Sequence, residues 1–307
     1  MSAADVPIDL RGRIALVTGG TGGMGRVITT ELARAGAHVV TTSRDYERGE
    51  ALRRRIATDV GADRVEVQTG DLASRTDLRR LAAEFAARHD ALHILINNAG
   101  AHYRHRWLTV DGVEAHLAVN HLAGFSLTYL LRDRIRADPP ARVVNIVSAA
   151  MSNIRPPLFG RPRPVPLDLS GVADVRELNP ATGFAPFAAY ARAKLLTTIC
   201  GYEFADRWRD EGVTVNAVHP GIVSTSIVDD ILPTGLAPFR SLIHRRLLTP
   251  EQGASAALRL ATDPGLATAS GRYYVRDQET RTPSISYDPA TRATAWQLSL
   301  KWITAPD

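Results

Sequence analysis

Lysine is nearly missing from this sequence. Of 37 basic residues among 307, only Lys194 and Lys301 are lysine, and the rest are arginine. Cysteine is scarcer still. Cys200 stands alone, so it closes no internal disulfide and leaves no thiolate zinc site. No apolar run approaches the ~18 residues of a membrane-crossing helix. The opening residues, MSAADVPIDL, lack the basic and apolar regions of a signal peptide. No repeat or low-complexity tract occurs. These absences exclude disulfide scaffolds, membrane spans and repeat arrays, and they imply a cytoplasmic protein that works without a metal.

What is present is ordinary globular material. Hydrophobic residues make up 45% and charged residues 22%, ample for a buried core and too apolar for disorder. The net charge of +5 raises the question of an anionic partner. The arginines are scattered (Arg53 to Arg55, Arg132, Arg134, Arg136, Arg245, Arg246) and have no aromatic residues interleaved, so nucleic acid is not the expected partner. The nine histidines, among them His102, His105, His116, His121 and His219, show no metal-ligand spacing and read as structural or surface groups. Cys200, Tyr202, Phe204 and Trp208 read as packing.

Apolar runs at 14–17, 38–42, 65–67, 92–96 and 143–147 alternate with helical patterns at 25–35, 47–58, 77–88 and 113–135. Strands alternating with helices at this spacing imply βαβ units and a parallel sheet. Residues 149–187 are proline-rich with little periodicity, a long loop inserted in the domain. A helix over 188–209 and a strand over 214–218 follow. Residues 222–248 read as a lid with small helices, 250–262 as a helix, 271–275 as a final strand and 290–303 as a C-terminal helix. No linker composition marks a boundary, so residues 1–307 read as one α/β domain: a Rossmann-type doubly wound parallel sheet flanked by helices, with an enlarged substrate loop and lid.

The first strand runs into Thr18-Gly19-Gly20-Thr21-Gly22-Gly23-Met24-Gly25 and then a helix. Glycines there allow a tight turn and let a pyrophosphate reach backbone N–H groups at the helix N-terminus. At the end of the second strand stand Ser43 and Arg44. A carboxylate at this place binds the ribose 2′-hydroxyl of NAD, whereas an arginine suits the 2′-phosphate of NADP. The reading favours NADP(H) over NAD(H), with Asp45 next door as the competing signal. Farther on, Tyr190 and Lys194 are four apart on one helix face. An ammonium beside a phenol lowers the tyrosine pKa from ~10 toward neutrality and makes it a usable general acid or base.

Together these residues resemble the short-chain dehydrogenase/reductase family over nearly the whole chain. Gly19, Thr21, Gly22, Gly23, Met24 and Gly25 match its cofactor signature, Asp71 and Leu72 its adenine contact, and Asn98, Ala99 and Gly100 its sheet-stabilising motif. Asn120, Ser148, Tyr190 and Lys194 match its catalytic tetrad, and Pro220, Gly221, Val223 and Thr225 its nicotinamide segment. Seven motifs fall in the right order. Narrower stretches, Ser43-Arg44-Asp45 and Val119-Asn120-His121-Leu122 among them, resemble the retinol dehydrogenase-like branch. Two departures are visible: no anchoring helix precedes the first strand, and 42 residues separate Ser148 from Tyr190, more than the family norm.

The resemblance implies roles. Tyr190 moves a proton to or from the substrate oxygen, with Ser148 hydrogen-bonding the same oxygen. Lys194 binds the nicotinamide ribose and depresses the Tyr190 pKa, and Asn120 holds a water through its backbone carbonyl. The expected reaction interconverts an alcohol and a ketone or aldehyde. Trp107, Phe159, Phe184, Phe187 and Phe239 lie on candidate pocket walls, which points to a bulky apolar small molecule such as a polycyclic, terpenoid or polyketide intermediate. A homodimer or homotetramer is left open. The rival reading is a non-redox isomerase, cyclase or NADP-binding regulatory module on the same fold.

Overall fold

A computed structural model describes residues 8–154, 163–231 and 240–306. The chain begins with β1 (Ile14–Val17), α1 (Gly23–Arg34), β2 (His38–Ser43), α2 (Tyr46–Val60), β3 (Val65–Thr69), α3 (Arg75–Arg88) and β4 (Ile94–Asn97). Local chemistry sets several boundaries. The Asp45 carboxylate caps α2 by accepting from the Arg48 N–H, and Gly61, at φ 73°, ends that helix in the left-handed conformation. Ser74 caps α3 in the same manner.

The helix expected over 113–135 is broken. Short α4 (Ala115–Leu117) passes through a π turn at Ala118–Leu122 into α5 (Ala123–Leu130), and α6 (Arg132–Ile135) follows. Single π turns inside helices recur at functional sites, and this one holds Asn120. The chain continues through β5 (Ala141–Ile146), α7 (Pro186–Arg207), β6 (Val213–His219), α8 (Ser226–Ile231), α9 (Arg240–His244), α10 (Pro250–Thr262), β7 (Arg272–Val275), β8 (Gln278–Glu279) and α11 (Pro289–Thr304). The strand expected to be last is therefore followed by another. Two exposed polar residues form it, and they carry no apolar alternation to betray it.

The sheet order is β3-β2-β1-β4-β5-β6-β7-β8; every neighbouring pair is parallel except β7 with β8. Alternate residues face opposite sides. In β1, Leu16 joins the core under α3, α5, α7 and α11, while Ala15 and Val17 join the core under α1, α2 and α10. Strand order reverses between β1 and β4, which opens a crevice at their carboxyl ends, the usual ligand position in such sheets.

The proline-rich stretch is less free than its composition implied. Val165, Leu167 and Leu169 alternate inward and, with Val175 and Leu178, join the core beside α7. Arg192 donates to the Pro166 carbonyl at 2.9 Å and the Leu178 carbonyl at 3.0 Å, and Lys301 to the Ala173 carbonyl at 3.1 Å. The rest of the loop expectation, including Phe159, and the part of the lid that holds Phe239 lie outside the described residues.

Candidate active site

The crevice is floored by the glycine-rich turn. Gly19 and Gly23 take φ of 68° and 51°, which favours glycine. A Cβ on Gly25 would lie 2.2 Å from the Gly19 carbonyl oxygen, so no larger residue fits there. Asn98 Nδ2 donates to the Thr18 carbonyl at 2.8 Å, and the Ala99 N–H donates to Thr18 Oγ1 at 2.9 Å, pinning the turn to the end of β4. Gly22 is the N-cap of α1, and no side chain satisfies the first N–H groups of that helix. By contrast, α2, α3, α10 and α11 are capped by Asp45, Ser74, Thr249 and Asp288. An uncapped N-terminus behind a glycine cradle fits a phosphate group. Thr225 Cγ2 lies 3.2 Å from the position a Cβ would take on Gly23, so residues 220–225 border the same cradle, and Val223 is buried.

At the end of β2 the competing signals separate. The Ser43 hydroxyl donates to the Asp45 carbonyl at 2.7 Å, and the Asp45 carboxylate accepts from the Arg48 N–H at 3.1 Å. Arg44 is exposed and forms no hydrogen bond or ion pair with a described residue. Arg48, which the sequence reading passed over, sets Nη2 3.1 Å from the Cβ position of Gly22. The Arg48 guanidinium thus stands at this end of the crevice, with exposed Arg44 shortly before it in the chain, and the Asp45 carboxylate is engaged as a helix cap. Asp71 is exposed and caps its own turn through the Ala73 N–H at 2.9 Å, beside buried Leu72.

The four tetrad residues come from the π turn, the end of β5 and α7. Ser148 follows β5, and its Oγ accepts from the Ala150 N–H at 3.2 Å and hydrogen-bonds with Tyr190. Lys194 Nζ donates to the Ile146 carbonyl at 3.0 Å and lies 5.9 Å from the centre of the Tyr190 ring. A Cβ on Gly100 would meet both Asn120 Oδ1, at 2.9 Å, and Lys194 Nζ, at 3.1 Å, so glycine lets these two approach.

One expectation needs correction. The Tyr190 pKa is not lowered toward neutrality: burial pushes it up to about 12, against the opposing hydrogen bond from Ser148. Burial also pushes Lys194 down to about 8. Desolvation outweighs proximity for both groups. The Asn120 backbone carbonyl, expected to hold a water, already accepts from Thr197 Oγ1 at 2.8 Å. A carbonyl oxygen can accept a second bond, and a cavity of about 10 Å³ is lined by Asn120, Ile146 and Thr197. The Asn120 side chain clamps Ala101, accepting from its N–H at 3.0 Å and donating to its carbonyl at 2.8 Å.

Beside the tetrad lies a polar network that the search for metal spacings missed. Glu114 is 1% exposed. His116 Nδ1 lies 2.7 Å from Glu114 Oε1, and His116 Nε2 accepts from the Tyr103 N–H at 2.9 Å, which fixes the tautomer. Asn179 Nδ2 donates to Glu114 Oε2 at 2.7 Å, and Arg192 donates to Asn179 Oδ1. This ties the proline-rich segment to α7 between Tyr190 and Lys194. Glu-x-His at a helix start was the available signal. Phe184 and Phe187 border this region, whereas Trp107 packs on Tyr103 and is 41% exposed. Cys200, Tyr202, Phe204 and Trp208 are buried, as expected of packing.

Residues 13–157 match the short chain dehydrogenase family. Human retinol dehydrogenase 12 is 34% identical over 292 residues, covering 95% of this chain and 86% of that protein. Polyprenol dehydrogenase of Danio rerio is 32% identical over 301 residues, covering 96% and 87%. A protein from Mycobacterium paratuberculosis has a crystal structure that superposes with a TM-score of 0.73 at 28% identity, over 99% of this chain and 97% of that one. A provisionally described NAD(P)-dependent gluconate 5-dehydrogenase of Beutenbergia cavernae, crystallised with NADP at low occupancy, gives 0.66 at 27% identity, over 89% and 98%. Among the described residues, no helix is long and apolar enough to cross a membrane.

Proposed function

The chain belongs to the short-chain dehydrogenase family, and on that premise we propose that it is an NADP(H)-dependent oxidoreductase that interconverts an alcohol and a ketone or aldehyde on a bulky, largely apolar substrate. The observation that carries the reading is the convergence of Ser148, Tyr190, Lys194 and Asn120 beside an uncapped helix N-terminus in a glycine cradle. Residues 19–25 would hold the pyrophosphate, Arg44 and Arg48 the 2′-phosphate, and Asp71 with Leu72 the adenine. Asn98, Ala99, Gly100, Lys194 and residues 220–225 would hold the nicotinamide half. Support for NADP over NAD comes from the unengaged Arg44, from Asp45 being committed to α2, and from the NADP in the Beutenbergia structure.

The bound nicotinamide supplies or accepts the hydride. The rest is done by the chain. A phenol with its pKa near 12 is protonated at neutral pH, so Tyr190 is a proton donor to an oxygen gaining negative charge. The Ser148 Oγ accepts from the Ala150 N–H and hydrogen-bonds with Tyr190, so its hydroxyl would turn to the same oxygen when substrate binds. Lys194 supplies positive charge beneath the tyrosine. Phe184 and Phe187 would form the apolar side of the pocket, and the described parts of the 149–187 and 222–248 segments would border it.

The test is a ketone, aldehyde and alcohol panel followed by NADPH absorbance, run beside Tyr190→Phe. That substitution removes one hydroxyl and little volume. Turnover is expected to fall by ~100-fold or more while NADPH binding persists. Near-normal turnover in the variant would remove Tyr190 from the mechanism.

A further inference from the structure

Two side chains fix the backbone on either side of His102, whose ring packs among other aromatic rings. Asn120 clamps Ala101 through both its N–H and its carbonyl. His116, held by Glu114, accepts the Tyr103 N–H. Between these clamps His102 is only 6% exposed. Its ring stands edge-on to Tyr190 with centroids 5.8 Å apart, and Phe187 lies at 6.4 Å. Neither Nδ1 nor Nε2 has a hydrogen-bond partner among the described residues. The Asp230 backbone is the one polar group among the described residues that favours the protonated ring. Buried polar atoms in native proteins are nearly always paired, so a partner is missing here.

The ring is also neutral. Burial lowers its pKa to about 4, and the neighbouring His116 and Arg104 act in the same direction. A neutral imidazole offers one donor and one acceptor, which suits an uncharged hydroxyl, keto or ester oxygen. Tyr190 and Ser148 take the reacting oxygen, so a simple alcohol or ketone leaves His102 with nothing to bind.

We propose that His102 is a substrate-recognition residue, and that the substrate carries a second uncharged oxygen close to the reacting carbon. The substrate class is then an α- or β-oxygenated ketone or the corresponding diol. With the two ring centres 5.8 Å apart, the second oxygen lies near the reacting carbon. This deepens the oxidoreductase reading and rests on it.

The experiment compares matched ketones with and without a neighbouring oxygen: camphor with camphorquinone, and propiophenone with 1-phenyl-1,2-propanedione. Each pair is assayed with NADPH in the wild type, His102→Leu and His102→Asn. The wild type should prefer the oxygenated member of each pair by kcat/KM. His102→Leu should reduce that preference about 10-fold, and His102→Asn should restore part of it. Because the comparison is a ratio of ratios, the greater intrinsic reactivity of the diones cancels. An unchanged preference in His102→Leu, or an equal fall for both members, would overturn the proposal in favour of a packing role. Calorimetric binding of camphorquinone to the protein with NADP⁺ separates the two readings. Binding weakened in His102→Leu without any turnover in the wild type sinks the redox reading and keeps the recognition role. Equal binding in both proteins, or none in either, overturns the recognition role.

Discussion

Glu114→Gln exchanges one oxygen for an amide nitrogen at a carboxylate that four donors address. The His116 N–H and His116 Nδ1 point at Oε1, and the Leu117 N–H and Asn179 Nδ2 point at Oε2. Either orientation of the new amide sets its NH₂ against two donors. Each buried donor left unpaired costs about 1–3 kcal/mol, so the substitution should destabilise by about 2–6 kcal/mol. Arg192, favoured in its charged form by Glu114, loses that support as well. Such a loss is a large share of the roughly 5–15 kcal/mol of a typical domain. Urea unfolding should show it as a lower midpoint at an unchanged slope. The acid profile provides a second check. Burial alone would raise the Glu114 pKa, but the hydrogen bonds from His116 hold it below its ordinary value. A depressed folded-state pKa means that the stabilisation is complete above the ordinary carboxyl range and is lost as pH falls through the lowered value. The gap between wild type and variant should therefore close in acid. A loss under ~1 kcal/mol at neutral pH, or a gap that persists in acid, would refute the network's role.

Three further outcomes are expected. Arg44→Ala should raise the apparent KM for NADPH by about 10- to 150-fold, the scale of a charge-assisted contact, while barely changing that for NADH; a wild type that already prefers NADH contradicts the assignment. Gly25→Ala should abolish measurable NADPH binding, because its Cβ meets the Gly19 carbonyl at 2.2 Å and Asn98 Nδ2 at 2.6 Å, and should cost about 1–3 kcal/mol of stability; intact binding by fluorescence titration counts against the cradle. Lys194→Met should end turnover without lowering the thermal midpoint at pH 7. The folded protein holds the Lys194 pKa near 8, below the unfolded value of ~10.4, so its burial is destabilising at neutral pH and relieved only as pH rises between the two. A clear drop in the midpoint would show that the bond to the Ile146 carbonyl dominates.

The fold was legible because its strands are short apolar runs and its cofactor turn is written in glycine. Residues 14–17 and 38–43 need little tertiary help to read as strands. Spacing also placed Tyr190 and Lys194 on one face. It could not give their burial, which comes from elements far away in sequence and sets the direction of both pKa shifts. Asp45 looked like a rival to Arg44 until the structure made it a helix cap. Val165, Leu167 and Leu169 alternate as a buried segment should, but Pro164 before them and Pro166 among them masked the signal. The π turn at Ala118–Leu122 has no compositional signature. Glu114 and His116 were visible as letters, but their partners, Asn179 and Tyr103, become neighbours only on folding.

The sheet has two borders at which further strands could be added. At one, the last strand is two residues long, and Glu279 within it pairs with Arg272 on β7 at 2.5 Å. At the other, β3 carries Glu66, which pairs with Arg88 of α3. A short edge and a charged edge both discourage an incoming strand. Growth by sheet extension is thereby disfavoured on both sides, which guards both borders against edge-to-edge aggregation.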